Sequence, residues 1–335
     1  MKKLSPKLLV QETRSGLLEL EFYGYIVFCN AEKQIQTYGD TKNSMFFHRS
    51  CAKPLQASLI CDCRTKECFS LSDEEIAVCC ASHTGTKIHT DLIKSILKKA
   101  EMTEEDLLCP AIEPLSIEEQ KKFKIYSKLH NNCSGKHALM LAVCKQMGWD
   151  TKNYLDKDHP LQKAVYNKIK SLCEAKYEMP YTPDGCSAPN WATSLEDLAK
   201  GFWNLFCDSK YKTIQTAFMK NPFVSGGDLR LDTQLMQMNP KLAAKVGAGG
   251  LCYIANTDTK EVLGFKITDA NMPARSIAVI ETLIKIGWLN INSIDEKLLN
   301  ISLNKSVKTE TGETVGQYSL CEEAGSWISE ISQRF

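Results

Sequence analysis

The chain has 335 residues, a formal net charge of +1, and 43% hydrophobic against 24% charged residues. That length suits one large α/β unit or two closely associated lobes, and the near-zero charge gives no electrostatic reason to expect nucleic acid or an anionic membrane as partner. No run approaches about 18 consecutive apolar residues, and the apolar character of residues 1–9 is broken by Ser5, Pro6 and Lys7, so neither a membrane span nor a secretion signal is expected and the compartment reads as cytoplasmic.

Residues 16–39 read as a hairpin: Leu17, Leu18, Leu20, Phe22 and Tyr23, then residues 25–28, are strand formers with Gly24 between them. A polar turn at 30–33 precedes another short strand at 34–38. Ser72-Asp73-Glu74-Glu75 then opens a helix by the capping-box pattern, which Ser116-Ile117-Glu118-Glu119 and Ser194-Leu195-Glu196-Asp197 repeat. Helix-period apolar residues fill 90–101, 160–174, 194–207 and 275–287, and strands at 251–256 and 262–267 flank the turn 257–260. The expected fold is therefore α/β, with an antiparallel-rich sheet from both chain ends (10–48 and 240–290) and a mainly helical part inserted at 49–239, all in one catalytic unit over 1–335. With no secretion signal, the 15 cysteines read mostly as reduced residues, those in apolar helical patterns such as Cys79, Cys80, Cys144, Cys173 and Cys207 as small core side chains.

Three constellations carry chemistry. In Arg49-Ser50-Cys51-Ala52-Lys53-Pro54, Pro54 is tolerated only in a first helical turn, so a helix starts near Ser50 and its i,i+3 spacing lets Lys53 reach Ser50. A serine hydroxyl becomes a nucleophile when a neighbouring base takes its proton, and a desolvated lysine can be that base. The bland alternative is a surface helix start. What favours chemistry is the order of later residues: Ser82 in the turn after an apolar helix, and Lys266 closing a strand. Serine β-lactamases, penicillin-binding proteins and some glutaminases use this arrangement of a Ser-x-x-Lys helix, a loop serine and a strand lysine. Lys308-Thr309-Glu310-Thr311-Gly312 imitates the last element, but it is polar and lacks a strand pattern, so Lys266 is preferred. The other two constellations are His130-Asn131-Asn132-Cys133-Ser134-Gly135-Lys136-His137 and Asp184-Gly185-Cys186-Ser187. Each sets a cysteine in a polar, glycine-containing loop where neither packing nor propensity explains it. Two such thiolates suit a cation such as Zn²⁺, with His137, Lys136 or Asp184 as further donors; the alternative is a pair of buried structural cysteines.

Together with Ala81-Ser82-His83-Thr84-Gly85, His159-Pro160-Leu161-Gln162, Ala244-Lys245-Val246-Gly247-Ala248 and Phe265-Lys266-Ile267, these strings resemble the rhizobial-type L-asparaginases from about residue 10 to 290. The resemblance implies a serine-β-lactamase-like fold, a homodimer, and hydrolysis of a small amino-acid amide, L-asparagine, to aspartate and ammonia through a serine acyl-enzyme. It further implies Ser50, Lys53, Ser82 and Lys266 as the catalytic Ser-Lys sets, and zinc held by Cys133, Lys136 and Cys186 without being strictly required for the chemistry. Arg49, Asn132, His137 and Asp184 are then expected around the substrate or the metal. Thr86 and Gly249 stand where the family usually has carboxylates. A glutaminase or other Ser-x-x-Lys amidohydrolase, a hydrolase attacking with metal-bound hydroxide, and a non-catalytic zinc-binding regulator are the competing readings.

Overall fold

The computed structural model describes residues 5–41, 44–122, 124–290 and 305–333. The chain opens with β1 (Lys7–Arg14), β2 (Leu17–Cys29) and β3 (Ile35–Tyr38), and β4 (Met45–Phe47) leads into the helical part. Within that part β5 (Tyr181–Pro183) and β6 (Pro189–Ser194) pair with each other, and β4 pairs with β6. The chain then returns to the main sheet through β7 (Leu242–Gly247), β8 (Leu251–Asn256), β9 (Glu261–Ile267), β10 (Ser306–Lys308) and β11 (Thr314–Leu320). The order across the described sheet is β10-β11-β1-β2-β9-β8-β7, with β3 also on β2, and every pairing is antiparallel. An α/β fold whose antiparallel sheet draws on both ends of the chain is what the patterning predicts.

Two local expectations are overturned. Gly24 is not a turn: β2 runs straight through it, and β2 turns back into β3 only at the polar turn expected at 30–33. The glycine is needed for another reason, because a Cβ there would collide with the carbonyl oxygen of Lys266 on β9 and come within 2.6 Å of Leu9 Cδ1. Residues 308–314 are the tip of the β10–β11 hairpin, which closes with Thr309 N–H donating to the Glu313 carbonyl at 2.9 Å. The polarity that argued against a strand is that of a solvated sheet edge.

Every residue of β7 and β8 is buried, so both faces of that part of the sheet are covered. The helices Leu195–Phe206 and Met272–Lys285 pack against it, Phe202 stacking on Tyr253 with ring centroids 5.1 Å apart. At Ser72 and Ser194 the predicted caps are present. Ser72 and Glu75 form a full capping box at the Asp73–Cys80 helix, and Ser194 Oγ accepts from Asp197 N–H. All 15 cysteines are free, and burial pushes the thiols of Cys144 and Cys207 up to about 12, as small reduced packing residues require. Among the described residues no helix is long and apolar enough to cross a membrane.

Candidate active site

β6 builds the turn that presents Ser50. β4 pairs with it up to Phe47, opposite Ala192, and His48 N–H then donates to the Trp191 carbonyl at 3.0 Å. The buried His48 ring stands 2.8 Å from Thr193 Oγ1, and burial lowers it to about 3, so it is a neutral structural group. Arg49 adopts a left-handed conformation (φ 49°), a placement that costs about 1–3 kcal/mol and persists only where neighbours enforce it. Asn190 Oδ1 enforces it by accepting from the Arg49 N–H at 3.1 Å. The reversal starts a 3₁₀ turn, Arg49–Ala52, which runs into the Lys53–Ala57 helix with Pro54 in its first turn, as the motif predicts.

Lys53 is 1% exposed, and its Nζ donates to Ser82 Oγ at 3.0 Å and to the Asn132 carbonyl at 2.8 Å. Burial is the main reason its pKa falls to about 8, aided by Lys136 and Lys245 and opposed by Cys133 and Cys186. The spacing predicts a Ser50–Lys53 contact. The lysine instead reaches inward to the loop after the Asp73–Cys80 helix, and no hydrogen bond joins it to Ser50. Lys266 is half-buried on β9, and its Nζ donates to the carbonyls of Gly249 and Ile267, the latter at 3.0 Å. Burial lowers its pKa as well. The serine that bonds a lysine is thus Ser82, and its partner is Lys53.

Two recesses adjoin at Ala248. One, of about 640 Å³, has Ser50, Ser82 and Asn132 on its wall; the other, of about 410 Å³, has Arg49, Asp184, Asn190, Gly249 and Lys266. In the smaller recess Arg49 Nε donates to Asp184 Oδ1 at 2.7 Å. Burial works against the Asp184 carboxylate, yet Lys136 and Arg49 hold its pKa below the usual value. His137 lines neither recess: it is fully buried, its Nδ1 lies 2.8 Å from Tyr154 Oη, and burial lowers it to about 3.

Cys133, Lys136 and Cys186 come together behind Asp184. The Cys133 and Cys186 thiols interact with one another, and the Lys136 ammonium interacts with both sulfurs. Cys133 lowers the Cys186 thiol, and Lys136 adds to this against the effect of burial, whereas Cys186 and burial raise the Cys133 thiol. Burial disfavours the Lys136 charge, but Cys186, Cys133 and Asp184 outweigh it and raise its pKa. Among the described residues no three His, Cys, Asp or Glu side chains are grouped to hold a metal ion, so a metal here would need Lys136 as its third donor. The donor chemistry fits: two thiolates and one neutral amine balance the charge of a divalent cation, and sulfur with nitrogen is a zinc set.

A family model described as L-asparaginase II matches residues 10–320, nearly the whole described fold. The chain belongs to the L-asparaginase II family. Among curated proteins none matches. Two solved structures show distant likeness: a protein assigned as a β-lactamase from Bacteroides dorei DSM 17855, at 12% identity over 77% of this chain and 92% of that one with TM-score 0.42; and one assigned as a glutaminase from Bacillus subtilis, complexed with 6-diazo-5-oxo-L-norleucine, at 11% identity over 80% and 85% with TM-score 0.38.

This L-asparaginase II family member has site residues that motif reasoning missed. Asp232 is buried under the end of β7, where Lys245 Nζ donates to its Oδ2 at 3.0 Å, Val246 N–H to the same oxygen at 3.2 Å, and Arg230 Nε to Oδ1 at 3.3 Å. That cluster fixes residues 246–248, which line the Ser50 recess. Only the Ala-Lys-Val-Gly-Ala string around Lys245 gave a signal for it. Gly247 lets β7 approach the Ser50 turn, since a Cβ there would meet Cys51 Sγ at 2.9 Å. Of the two departures from the family pattern, Thr86 stands at the N-terminal end of the Lys87–Lys99 helix with its hydroxyl on His89 Nδ1 at 2.6 Å, away from both recesses. Gly249 lies within the smaller recess, where a Cβ would stand 3.8 Å from Lys266 Nζ. A carboxylate at that position would stand beside Lys266; with glycine there, the lysine rests on two carbonyl oxygens.

Proposed function

We propose that the protein hydrolyses L-asparagine to L-aspartate and ammonia through an acyl-enzyme on Ser50. The observation that carries this reading is the Arg49–Asp184 pair next to Ser50, which offers both signs of charge to a zwitterionic amino-acid head. With that head held, the side-chain amide reaches Ser50. Ser50 Oγ attacks the amide carbon while its proton passes to Ser82 Oγ and that of Ser82 to neutral Lys53 Nζ. Backbone N–H groups of the Ser50 turn stabilise the oxyanion, the C–N bond breaks as the proton returns to the departing ammonia, and water hydrolyses the ester. A second reading makes Ser82 the nucleophile, because it is the serine that Lys53 touches.

Ammonia release from asparagine and glutamine tests the substrate. Asparagine should be preferred by about 10- to 200-fold, the usual value of one methylene; a glutamine preference refutes the assignment. The pH profile tests the base. Lys53 acts only when deprotonated, so kcat/KM should rise about tenfold per pH unit below its pKa and level off above about 8. A flat profile between those regions removes Lys53 from the role.

We also propose that Cys133, Lys136 and Cys186 bind Zn²⁺. Bound there, the cation would supply Lewis acidity beside the substrate head. The three side chains would anchor the loops that carry Asn132 and Asp184. Elemental analysis should find about one zinc per chain and none in Cys133→Ser/Cys186→Ser, following the preference of zinc for thiolates. Undiminished zinc in that variant contradicts the assignment.

A further inference from the structure

Ammonia is the smallest leaving group an amidohydrolase can release, yet the larger recess occupies about 640 Å³ beyond Ser50. That volume lies in the range that encloses a drug-sized ligand. Its wall is not inert. Gln234 is 2% exposed, and neither Oε1 nor Nε2 has a hydrogen-bond partner. An unpaired buried polar group costs about 1–3 kcal/mol, so a buried amide with both ends open favours a polar partner at this wall. Arg275 lines the same recess with its Nε unpartnered, and its only described hydrogen bond is a long one, 3.5 Å from Nη1 to the Gly247 carbonyl. Arg230 adds a second cation, and no Asp or Glu is among the described lining residues. Leu229 and Met272 stand on the wall 62% and 66% exposed.

The two recesses differ in charge. The Arg49–Asp184 side presents both signs, whereas the Gln234–Arg275 side is cationic, with a buried amide and an apolar margin. We infer that the enzyme also cleaves N-substituted side-chain amides, namely β-aspartyl peptides, whose amine half enters the larger recess with its carboxylate on Arg275 and its peptide groups on Gln234. This rests on the placement of the aspartyl half proposed above. The chemistry is unchanged: Ser50 Oγ bonds to the β-carbonyl carbon, the C–N bond to the amino acid breaks, the amine nitrogen takes the proton from Lys53 through Ser82, and water then releases aspartate. An apolar side chain on the amine half would lie against Leu229 and Met272.

The test is to measure release of leucine from β-aspartylleucine by the full-length protein, beside ammonia release from asparagine. The wild type should cleave the dipeptide. Replacing its carboxylate by a carboxamide, or Arg275 by Gln, should lower kcat/KM for it by about 10- to 100-fold, the worth of one charge-assisted hydrogen bond. Gln234→Leu, nearly equal in volume, should lower the ratio of dipeptide to asparagine turnover as well, and Arg275→Lys should recover part of the Arg275→Gln loss. Turnover of asparagine without the dipeptide overturns the inference and leaves the asparaginase reading intact. Dipeptide cleavage without asparagine turnover does the reverse, and failure on both overturns both. Dipeptide cleavage that ignores Arg275, Gln234 and the carboxylate also overturns it.

Discussion

Ser50→Ala is expected to lower kcat/KM for asparagine by at least about 10⁴-fold, the scale of losing a nucleophile, with the melting temperature unchanged. The side chain is small, only part-buried, and makes no hydrogen bond among the described residues, so its removal leaves the packing intact. The strain that presents it is in Arg49, one residue earlier, and stays in place through the Asn190 and Trp191 contacts. Ser82→Ala provides the comparison. It removes the hydroxyl that bonds Lys53, so turnover should fall, but the position of Ser50 is unaltered and burst release of ammonia should survive at a reduced rate. If Ser50→Ala retains near-wild-type turnover, the roles of the two serines are exchanged or the chemistry lies elsewhere.

Asp232→Ala is expected to destabilise the fold by about 3–5 kcal/mol, because Lys245 would remain fully buried with no counter-charge. Chemical denaturation with activity read in parallel would measure it, and a change below about 1 kcal/mol would show that the pair carries no such penalty. The pH dependence has a definite sign. Burial alone would raise the Asp232 carboxyl, but Lys245 and Arg230 hold it far below its ordinary value. Its contribution is therefore complete above the unfolded carboxyl value of about 4 and is lost only as the pH falls through the lower folded value. Asp232→Asn keeps the shape but not the charge, and should fall between the alanine variant and the wild type.

Local signals reported the elements well and the contacts between them poorly. Capping residues at Ser72 and Ser194 and the strand-forming runs of β8 and β9 on either side of a polar turn placed those elements, because both depend on neighbours a few residues away. Gly24 was misread because a glycine between two apolar runs looks alike whether it makes a turn or admits another strand, and the atom that decides is the carbonyl of Lys266, far off in sequence. The same limit applies to the site. Cys133, Lys136, Cys186 and Asp184 could be singled out because cysteine and charge in glycine-containing loops lack a packing explanation. Asp232 could not, since an acidic residue at the start of a helix looks like an ordinary surface group, and its burial depends on Lys245 across the fold. Spacing allowed Lys53 to approach Ser50, but only the folded position of the loop after the Asp73–Cys80 helix directs it to Ser82.

The central claim, that Ser50 is the acylated residue, is tested most directly by trapping. A diazoketone analogue of asparagine should alkylate the attacking hydroxyl, and peptide mapping by mass spectrometry should place one adduct on the peptide that holds Ser50. Protection by asparagine and loss of labelling in Ser50→Ala complete the expected result. An adduct on Ser82, or undiminished labelling in Ser50→Ala, would contradict the account.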